Sequence, residues 1–344
     1  MSMVMKMLPV EQTIGMVLCH DMTQITETEK TVRFRKGQGI KKEDIPILLS
    51  MGKEQIYVGE LPAGTLHEDD AAEILAAICR GKNIDRRGPR EGKIELFAQT
   101  SGVFEYDADV LTRINAIEDL AIVARHNHTP VATGEKLAGM KVVPLAVEEE
   151  KLRRAEKLAA GAPVMNVFPY ILKSVAVIVT GSEVAKGRIA DAFTPVLAKK
   201  LAAYGISVSW HTLVPDGIDN IMGAIARARA SAPDLIICTG GMSVDPDDNT
   251  PGAIRQSGAS IVTYGAPVMP GVMFLLGYFD EGIPIAGLPA GAMYAGATIF
   301  DLVLPRIAAG LRLSRRDFTG MGVGGLCLSC PQCRYPICPF GRGM

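Results

Sequence analysis

A glycine pair directly behind an apolar run is the first feature of this chain that could do chemistry. The run Leu235–Cys238 is typical of a buried strand ending near Thr239, and Gly240-Gly241 follow at once. Two glycines let the backbone turn sharply and leave its amides uncovered, which is the geometry that a bound phosphate or other anion needs. Thr250-Pro251 then has the pattern of a helix start. This order predicts a ligand site at the carboxyl end of a strand.

Acidic residues in three separate loops complete this predicted site. Strand-like runs alternate with helices of about a dozen residues over 170–310, which predicts a parallel sheet covered on both faces. Because crossovers between parallel strands are right-handed, the loops that follow the strands collect along one edge. We therefore expect Glu183, Asp216 and Asp248 to meet in a common cleft with the glycine turn.

A divalent ion would reconcile the acids with the glycine turn. Carboxylates alone repel a phosphate, whereas Mg²⁺ bridges carboxylates to phosphate oxygens. The alternative is that each acid only caps a helix or solvates a loop.

Four more cysteines crowd into the C-terminal segment, with the spacing Cys327-x2-Cys330-x2-Cys333-x4-Cys338. Four thiols within twelve residues of a chain expected in a reducing compartment indicate metal or redox chemistry. An iron–sulfur cluster and a four-cysteine zinc site both remain open, although zinc more often uses two separated pairs. The alternatives are a flexible tail with free thiols and a tail that joins two copies of the chain.

Composition excludes several function classes. The chain has 344 residues, a formal net charge of −1 and 48% hydrophobic residues. Its near-neutral charge does not predict a nucleic-acid partner. Apolar runs are short and broken by glycine, proline or charge, and the N-terminus does not read as a signal peptide, so we expect no membrane span and a cytoplasmic location. The isolated Cys19, Cys79 and Cys238 are predicted to be reduced core residues.

The organisation predicted from these patterns has three parts. Residues 1–165 form a β-rich α+β region with room for two small subdomains, residues 170–310 an α/β domain, and residues 311–344 the cysteine-rich tail. Within them we expect a basic loop over Asp85–Arg90, a charged helix over Glu148–Ala160 that marks the first boundary, and a final helix over Met293–Ala308.

Residues 170–310 resemble the molybdopterin-binding domain shared by molybdenum cofactor biosynthesis proteins. Several separated motifs match in order, which is far more specific than a single Thr-Gly-Gly. The matching residues are Thr180, Gly181, Ser182 and Glu183, then Gly187, Arg188, Ile189 and Asp191, then Pro215 and Asp216, then Thr239, Gly240, Gly241, Met242, Ser243 and Asp248, and finally Met269, Pro270 and Gly271 with Gly287, Leu288 and Pro289. The resemblance implies a three-layer α/β fold with a mostly parallel sheet.

The resemblance also implies roles for these residues. Asp248, helped by Asp216, would hold Mg²⁺, Glu183 would position molybdate or water, and the amides of Gly240-Gly241 would hold phosphate. The N-terminal half, from Gly15–Asp21 to about Leu145, more faintly resembles the extra region of the molybdenumtransferase branch. That branch inserts molybdenum into the dithiolene of adenylylated molybdopterin and hydrolyses the adenylyl pyrophosphate bond.

Two departures from the molybdenumtransferase pattern leave other functions open. Val272-Met273 stand where the pattern has Lys-Pro, and Ala290-Gly291-Ala292 where it has Gly-Asn-Pro. The lost lysine is a natural partner for molybdate or phosphate. A non-catalytic carrier or regulator of the cofactor is therefore one alternative, and a nucleotide pyrophosphatase that uses the same domain is another. Family resemblance suggests a homodimer, and the tail suggests a link to a molybdenum enzyme or an electron carrier.

Overall fold

The computed structural model describes residues 5–26, 29–245 and 248–341. Contacts divide the chain into two compact units, one built from residues 1–99, 106–125 and 133–166, the other from residues 100–105, 126–132 and 167–344. Among the described residues, we find no helix with the length and hydropathy that crossing a bilayer requires.

The elements up to residue 169 are short and mostly strands. In chain order they are β1 (Lys6–Pro9), β2 (Met22–Ile25), β3 (Lys30–Phe34), α1 (Asp44–Ser50), β4 (Gln55–Val58), β5 (Thr65–His67), α2 (Glu68–Cys79), β6 (Ile84–Arg90), β7 (Lys93–Ala98), β8 (Gly102–Tyr106), α3 (Ala108–Asn115), β9 (Leu120–Ala124), β10 (Thr129–Val131), β11 (Lys136–Val142), β12 (Ala146–Glu148), α4 (Glu149–Ala159) and β13 (Met165–Pro169).

Longer helices and strands alternate in the rest of the chain. They are β14 (Ser174–Thr180), α5 (Ser182–Ala185), α6 (Phe193–Ala202), β15 (Ser207–Val214), α7 (Ile218–Ala230), β16 (Leu235–Thr239), α8 (Thr250–Gln256), β17 (Ser260–Tyr264), β18 (Leu275–Tyr278), β19 (Pro284–Leu288), α9 (Gly291–Tyr294), α10 (Ile299–Ala308) and α11 (Arg315–Thr319).

The first unit is a β-rich α+β structure, as predicted. Its largest sheet is antiparallel and has the strand order β6-β7-β11-β9, and three strand pairs, β1-β4, β2-β3 and β12-β5, accompany it. A small core that includes Leu18, Phe34 and Leu48 fills the part nearest the N-terminus. The charged helix predicted over Glu148–Ala160 is α4.

The basic stretch Asp85–Arg90 is a strand, so the prediction of a loop there is wrong. It belongs to β6, which pairs with β7 through residues such as Arg86 opposite Leu96. The register shifts between Arg87 and Arg90, around Gly88-Pro89, and this Gly-Pro pair is what gives the stretch its loop-like sequence. An edge strand tolerates both residues because its outer side needs no partner strand.

A six-stranded sheet with the order β15-β14-β16-β19-β18-β17 is the framework of the second unit. The four strands β15, β14, β16 and β19 run parallel, whereas β18 and β17 are antiparallel additions at one side. The segments 100–105 and 126–132 contribute most of β8 and all of β10, which pair with each other.

Alternate residues of β14 face opposite layers of helices. Val175, Val177 and Val179 join a core that contains residues of α6 and α10. Ala176 and Ile178 join a second core with residues of α7 and α8. A strand buried on both faces reads as a continuous apolar run, which is why Val175–Val179 predicts it. The predicted fold class is confirmed: a three-layer α/β domain with a mostly parallel sheet, preceded in the sequence by a β-rich region.

The single helix predicted over Met293–Ala308 is wrong, because the structure has two helices there. Ala295 is extended and ends α9. Thr298 then starts α10 with a capping box, in which its hydroxyl accepts from the Phe300 amide and Asp301 accepts from the Thr298 amide. Such a box fixes a helix start inside an apparently continuous pattern.

The C-terminal segment folds back onto the second unit. The Cys327 amide donates to the Met269 carbonyl over 2.8 Å. The Tyr335 hydroxyl donates to the Asp301 carbonyl over 2.6 Å, and Phe340 is buried among core residues. These contacts hold the cysteine-rich tail against α10 and the segment before β18.

Candidate functional site

Four neighbouring strands end at the same edge of the six-stranded sheet. Thr180 of β14 pairs with Val214 of β15, and Thr239 of β16 pairs with Leu288 of β19. The loops that follow these residues, which start at Gly181, Pro215, Gly240 and Pro289, therefore emerge side by side. This arrangement places the predicted site loops along one edge.

Gly240 and Gly241 form a tight turn at the centre of this edge. Both have positive φ angles, 92° and 53°, in the region that glycine adopts most readily. A Cβ atom on Gly240 would overlap the carbonyl oxygen of Thr180. The close approach of two strand ends thus requires glycine at position 240.

Thr250 fixes the turn from the start of α8. Its hydroxyl donates to the Gly240 carbonyl over 2.8 Å and lies 3.1 Å from the Thr180 hydroxyl. Its amide donates to the Gly241 carbonyl over 3.2 Å. Because Thr250 is fully buried, these bonds are shielded from water and hold the turn against the end of β14.

Asp216 links the loop after β15 to the loop after β14. Its carboxylate accepts from the Ser182 amide over 2.9 Å, and its carbonyl accepts from the Asn220 side chain over 2.9 Å. The Gly181 amide donates to the Val214 carbonyl over 3.1 Å. Asp216 therefore lies beside the predicted ligand residues Gly181 and Ser182.

Asp248 lies close enough to Tyr264 for its carboxylate to act on the Tyr264 hydroxyl. Burial raises the pKa of Tyr264, the Arg255 guanidinium opposes this, and the Asp248 carboxylate adds to it. Arg255 lies over the Tyr264 ring, 5.2 Å from its centre, and the Tyr264 hydroxyl donates to the Met242 carbonyl over 3.2 Å. Tyr264 thus contacts the segment that follows the turn, and the Asp248 carboxylate acts on it electrostatically. Pro246 and Asp247 of the acidic loop lie outside the described residues.

The other predicted residues differ in whether their side chains are exposed to a ligand. Glu183 is exposed in α5, and its carbonyl accepts from the Arg188 amide over 2.9 Å. The Met242 side chain is buried in the core, so Met242 can offer a ligand only its backbone, whereas Ser243 is exposed. Within the described ranges, no three His, Cys, Asp or Glu side chains are grouped as they are around a metal ion. The roles of Glu183, Asp216 and Asp248 stay predictions.

Pro270 and Gly271 lie in a second part of the edge. Gly271 packs against Ile299, which leaves no room for a Cβ atom, and its φ angle is 116°. Pro270, Met269 and Gly291 line a cavity of about 720 Å³ together with Cys327, Cys330, Cys333 and Cys338. The thiols of the tail therefore border the predicted ligand residue Pro270.

Two cysteines outside the tail differ sharply from those four. Burial raises the pKa of Cys79 and of Cys238 to about 12. Such thiols stay protonated and serve as small core residues. Cys330 and Cys333, by contrast, are exposed.

Sequence reasoning missed the roles of two residues that shape this edge. Thr250 was expected only to start a helix, yet its hydroxyl secures the turn. Tyr264 contacts the segment after the turn through packing between segments distant in sequence, and no local pattern indicates that contact. The signal for Thr250 is its position directly after the acidic loop.

Comparison with family models agrees with the resemblance. Residues 176–309 match the family described as "Probable molybdopterin binding domain", and residues 7–60 match a domain described only as of unknown function. A CinA-like protein from Desulfosudis oleivorans is 38% identical over 81 residues, which are 24% of this chain and 19% of that protein. The chain thus spans about a fifth of the length of that relative.

Solved structures of molybdenum cofactor proteins are also similar. The molybdopterin biosynthesis Mog protein from Mycobacterium ulcerans is 22% identical, with 39% of this chain and 91% of that chain covered at a TM-score of 0.33. The molybdopterin biosynthesis moea protein from Pyrococcus horikosii is 13% identical, with 89% and 75% covered at a TM-score of 0.34. Both scores are low, and the fold assignment comes from the strand order itself. The match over residues 176–309 confirms the predicted resemblance of this segment to the molybdopterin-binding domain family.

Proposed function

We propose that the glycine-turn edge binds the pyrophosphate end of adenylylated molybdopterin. The chain, whose residues 176–309 match the molybdopterin-binding domain family, then inserts molybdate into the dithiolene with the help of Mg²⁺. The observation that carries the proposal is the turn at Gly240-Gly241, fixed by Thr250 against Thr180. A rigid turn with positive φ angles offers backbone amides to an anion without reorganisation.

Two carboxylates fit the chemistry of the magnesium ion. Mg²⁺ prefers oxygen ligands and is commonly held by one or two carboxylates together with substrate phosphates. Asp216 and Asp248 would hold it, and Asp216 is oriented by the Ser182 amide. When bound, the ion neutralises phosphate charge and polarises the phosphoryl oxygens. In this proposal Glu183, exposed beside the same loop, positions molybdate or water.

A non-catalytic carrier or regulator is the second candidate function. Val272 stands where the molybdenumtransferase pattern has lysine, and its carbonyl accepts from the Ala266 amide over 2.9 Å. An aliphatic side chain there offers no positive charge to molybdate. Such a protein would bind the cofactor at the same turn and release it unchanged.

One experiment separates these functions. The full chain is incubated with adenylylated molybdopterin, molybdate and Mg²⁺, and AMP release and molybdenum incorporation are measured. AMP together with molybdenum transfer supports the insertion reaction, whereas tight binding without AMP supports the carrier. AMP from other nucleotide diphosphates alone would instead indicate a nucleotide pyrophosphatase, and absence of pterin binding would refute both proposals.

A matched pair of variants tests the role of Asp248. Asp248→Asn should weaken Mg²⁺-dependent pterin binding by tenfold or more, about 1.4 kcal/mol, while the melting temperature stays near that of the wild type. Asp280→Asn makes the same charge change behind β18, at the opposite edge of the sheet, and should leave binding unaltered. Equal affinities for the two variants would eliminate the proposed role.

A further inference from the structure

We propose that Cys327, Cys330, Cys333 and Cys338 ligate an iron–sulfur cluster seated in the cavity beside Met269 and Pro270. This site lies outside the glycine turn, and the proposal holds whichever ligand that turn binds. It rests on the spacing of the cysteines, their distribution around one cavity and the contacts that hold the tail in place.

The spacing favours a cluster over a single zinc ion. Three cysteines stand two residues apart, and a Cys338-Pro339 pair follows. Bacterial clusters are held by a similar run of closely spaced cysteines that ends in Cys-Pro, with a last gap one residue shorter. Four-cysteine zinc sites more often combine two separated pairs.

The cavity also has room for a cluster. The four cysteines border one cavity of about 720 Å³. A zinc ion about 2.3 Å from each sulfur draws all four thiolates around one point. A [4Fe–4S] cluster accepts one thiolate per iron and so suits thiols that approach from several sides.

The four cysteines, all within the described range 248–341, line different parts of the cavity wall, and no three of them are grouped as around a single metal ion. Cys327 is held next to Met269 because its backbone amide donates a hydrogen bond to the Met269 carbonyl. Cys333 lies against Gly296, where an added Cβ would come within 2.7 Å of the Cys333 Cβ and 3.0 Å of its Sγ. Cys338 packs against the core that includes Phe340.

The start of the tail is anchored on the α/β domain, and its end returns to that start. At its start the Met269 amide donates to the Gly325 carbonyl over 2.8 Å, and at its end the Gly341 amide donates to the Gly324 carbonyl over 2.9 Å. Tyr335, between the third and fourth cysteines, donates to the Asp301 carbonyl. Ligands held on an anchored loop lose less conformational freedom when the cluster binds.

The surroundings also suit an anionic cluster. Pro270, Leu326 and Phe340 give the cavity apolar walls, and Arg334 brings a positive charge to its lining. Apolar walls and nearby cations are among the factors that set the stability and potential of a thiolate cluster. Cys330 and Cys333 remain exposed, so iron and sulfide can reach the site.

Metal and sulfide analysis of the full chain tests this proposal. The protein is purified without oxygen, reconstituted with ferric iron, sulfide and a thiol that reduces part of the iron, and analysed for iron, acid-labile sulfide, visible absorption and electron paramagnetic resonance after reduction. We expect about four iron and four sulfide per chain, as in a [4Fe–4S] cluster.

Two variants provide the contrast. The double change Cys330→Ser with Cys333→Ser should reduce bound iron and sulfide to background, whereas Cys79→Ala, which removes a buried thiol of the other unit, should retain the wild-type content. Circular dichroism and melting curves verify that the variants are folded. If the double variant is unstable, Cys330→Ser alone replaces it.

Three outcomes would overturn the proposal. They are one zinc per chain without sulfide, a folded wild-type chain that takes up neither iron nor sulfide, and a double variant that keeps the full iron content. None of these measurements involves pterin or molybdate, so failure here is distinguishable from failure of the proposed insertion reaction.

Discussion

The glycine turn and the thiol cavity lie along the same side of one sheet but are built in opposite ways. The turn offers backbone groups, and strand ends only a few ångströms apart hold it in place. The cavity offers side chains from a C-terminal segment that reaches the sheet through a few hydrogen bonds. A mutation that alters a site made of backbone groups also alters the fold around it. A mutation of a side chain on an attached segment can alter its site and leave the fold intact.

This difference predicts where mutations act. Changes at the turn should lower the free energy of unfolding together with ligand binding, because the same contacts support both. Changes in the tail should lower cluster content with little effect on the α/β domain. Four mutations test this contrast, in order from the largest expected effect to the smallest.

Gly240→Ala should cause the largest loss of stability. The added Cβ overlaps the Thr180 carbonyl and must also adopt a positive φ angle, so we expect a loss of about 3 kcal/mol or more. Gly187→Ala is the control, since its φ angle is also positive, 69°, but its surroundings are open, and it should lose only about 1–2 kcal/mol. Denaturant unfolding measures both, and equal losses would show that the close approach at Thr180 is unimportant.

Thr250→Val should have the next largest effect. The valine keeps the shape of the side chain but removes the hydroxyl that serves the Gly240 carbonyl, leaving a buried acceptor without that partner, at a cost of about 1–3 kcal/mol. Thr319→Val, at an exposed position of α11, should stay within about 0.5 kcal/mol of the wild type. A Thr250 variant as stable as the Thr319 variant would argue against a hydroxyl-fixed turn.

Gly296→Ala should separate cluster binding from folding. Its Cβ would displace Cys333, and because Cys333 is exposed we expect a stability loss of about 1 kcal/mol or less, with clearly reduced iron after reconstitution. Gly291→Ala is the matched control in the same cavity, where the nearest atom, the Pro270 Cβ, is at an ordinary 3.8 Å. Unchanged iron in the Gly296 variant would contradict the proposed position of Cys333.

Asp234→Asn should give the smallest effect, and its signature is a change in the pH dependence of stability. Burial alone would raise the pKa of Asp234, but the amides of Lys173 and Ser174 and the Ser174 hydroxyl lower it below its ordinary value. The carboxylate therefore stabilises the fold above about pH 4, and this contribution is lost as the pH falls through the lower folded pKa.

Melting curves between about pH 6 and pH 2 check this expectation. The wild type should lose stability more steeply on acidification than the asparagine variant. Parallel curves for the two proteins would show that the Asp234 carboxylate makes no pH-dependent contribution.

Much of the second unit was predictable because its signals are local. A run such as Val175–Val179 is apolar at every position because both faces of the strand are buried. The glycine pair at 240–241 is a local signal too, since left-handed backbone favours glycine. These features predicted the sheet, the turn and the edge on which the loops emerge.

The features that were missed depend on partners distant in sequence. The strand β6 is stabilised by pairing with β7, although Gly88-Pro89 locally suggests a loop. The tail is placed by bonds such as that of Tyr335 to a residue 34 positions earlier. No periodicity within the tail could indicate that its thiols border Pro270.

Asp301 joins three segments that would otherwise be independent. It accepts from the Thr298 amide at the start of α10, forms an ion pair of 2.6 Å with Lys200 of α6, and its carbonyl accepts from the Tyr335 hydroxyl. A displacement of the first turn of α10 would thus be transmitted both to α6 and to the cysteine loop. Slower amide hydrogen exchange in α6 on loading the tail with iron and sulfide would be the signature of that mechanical connection.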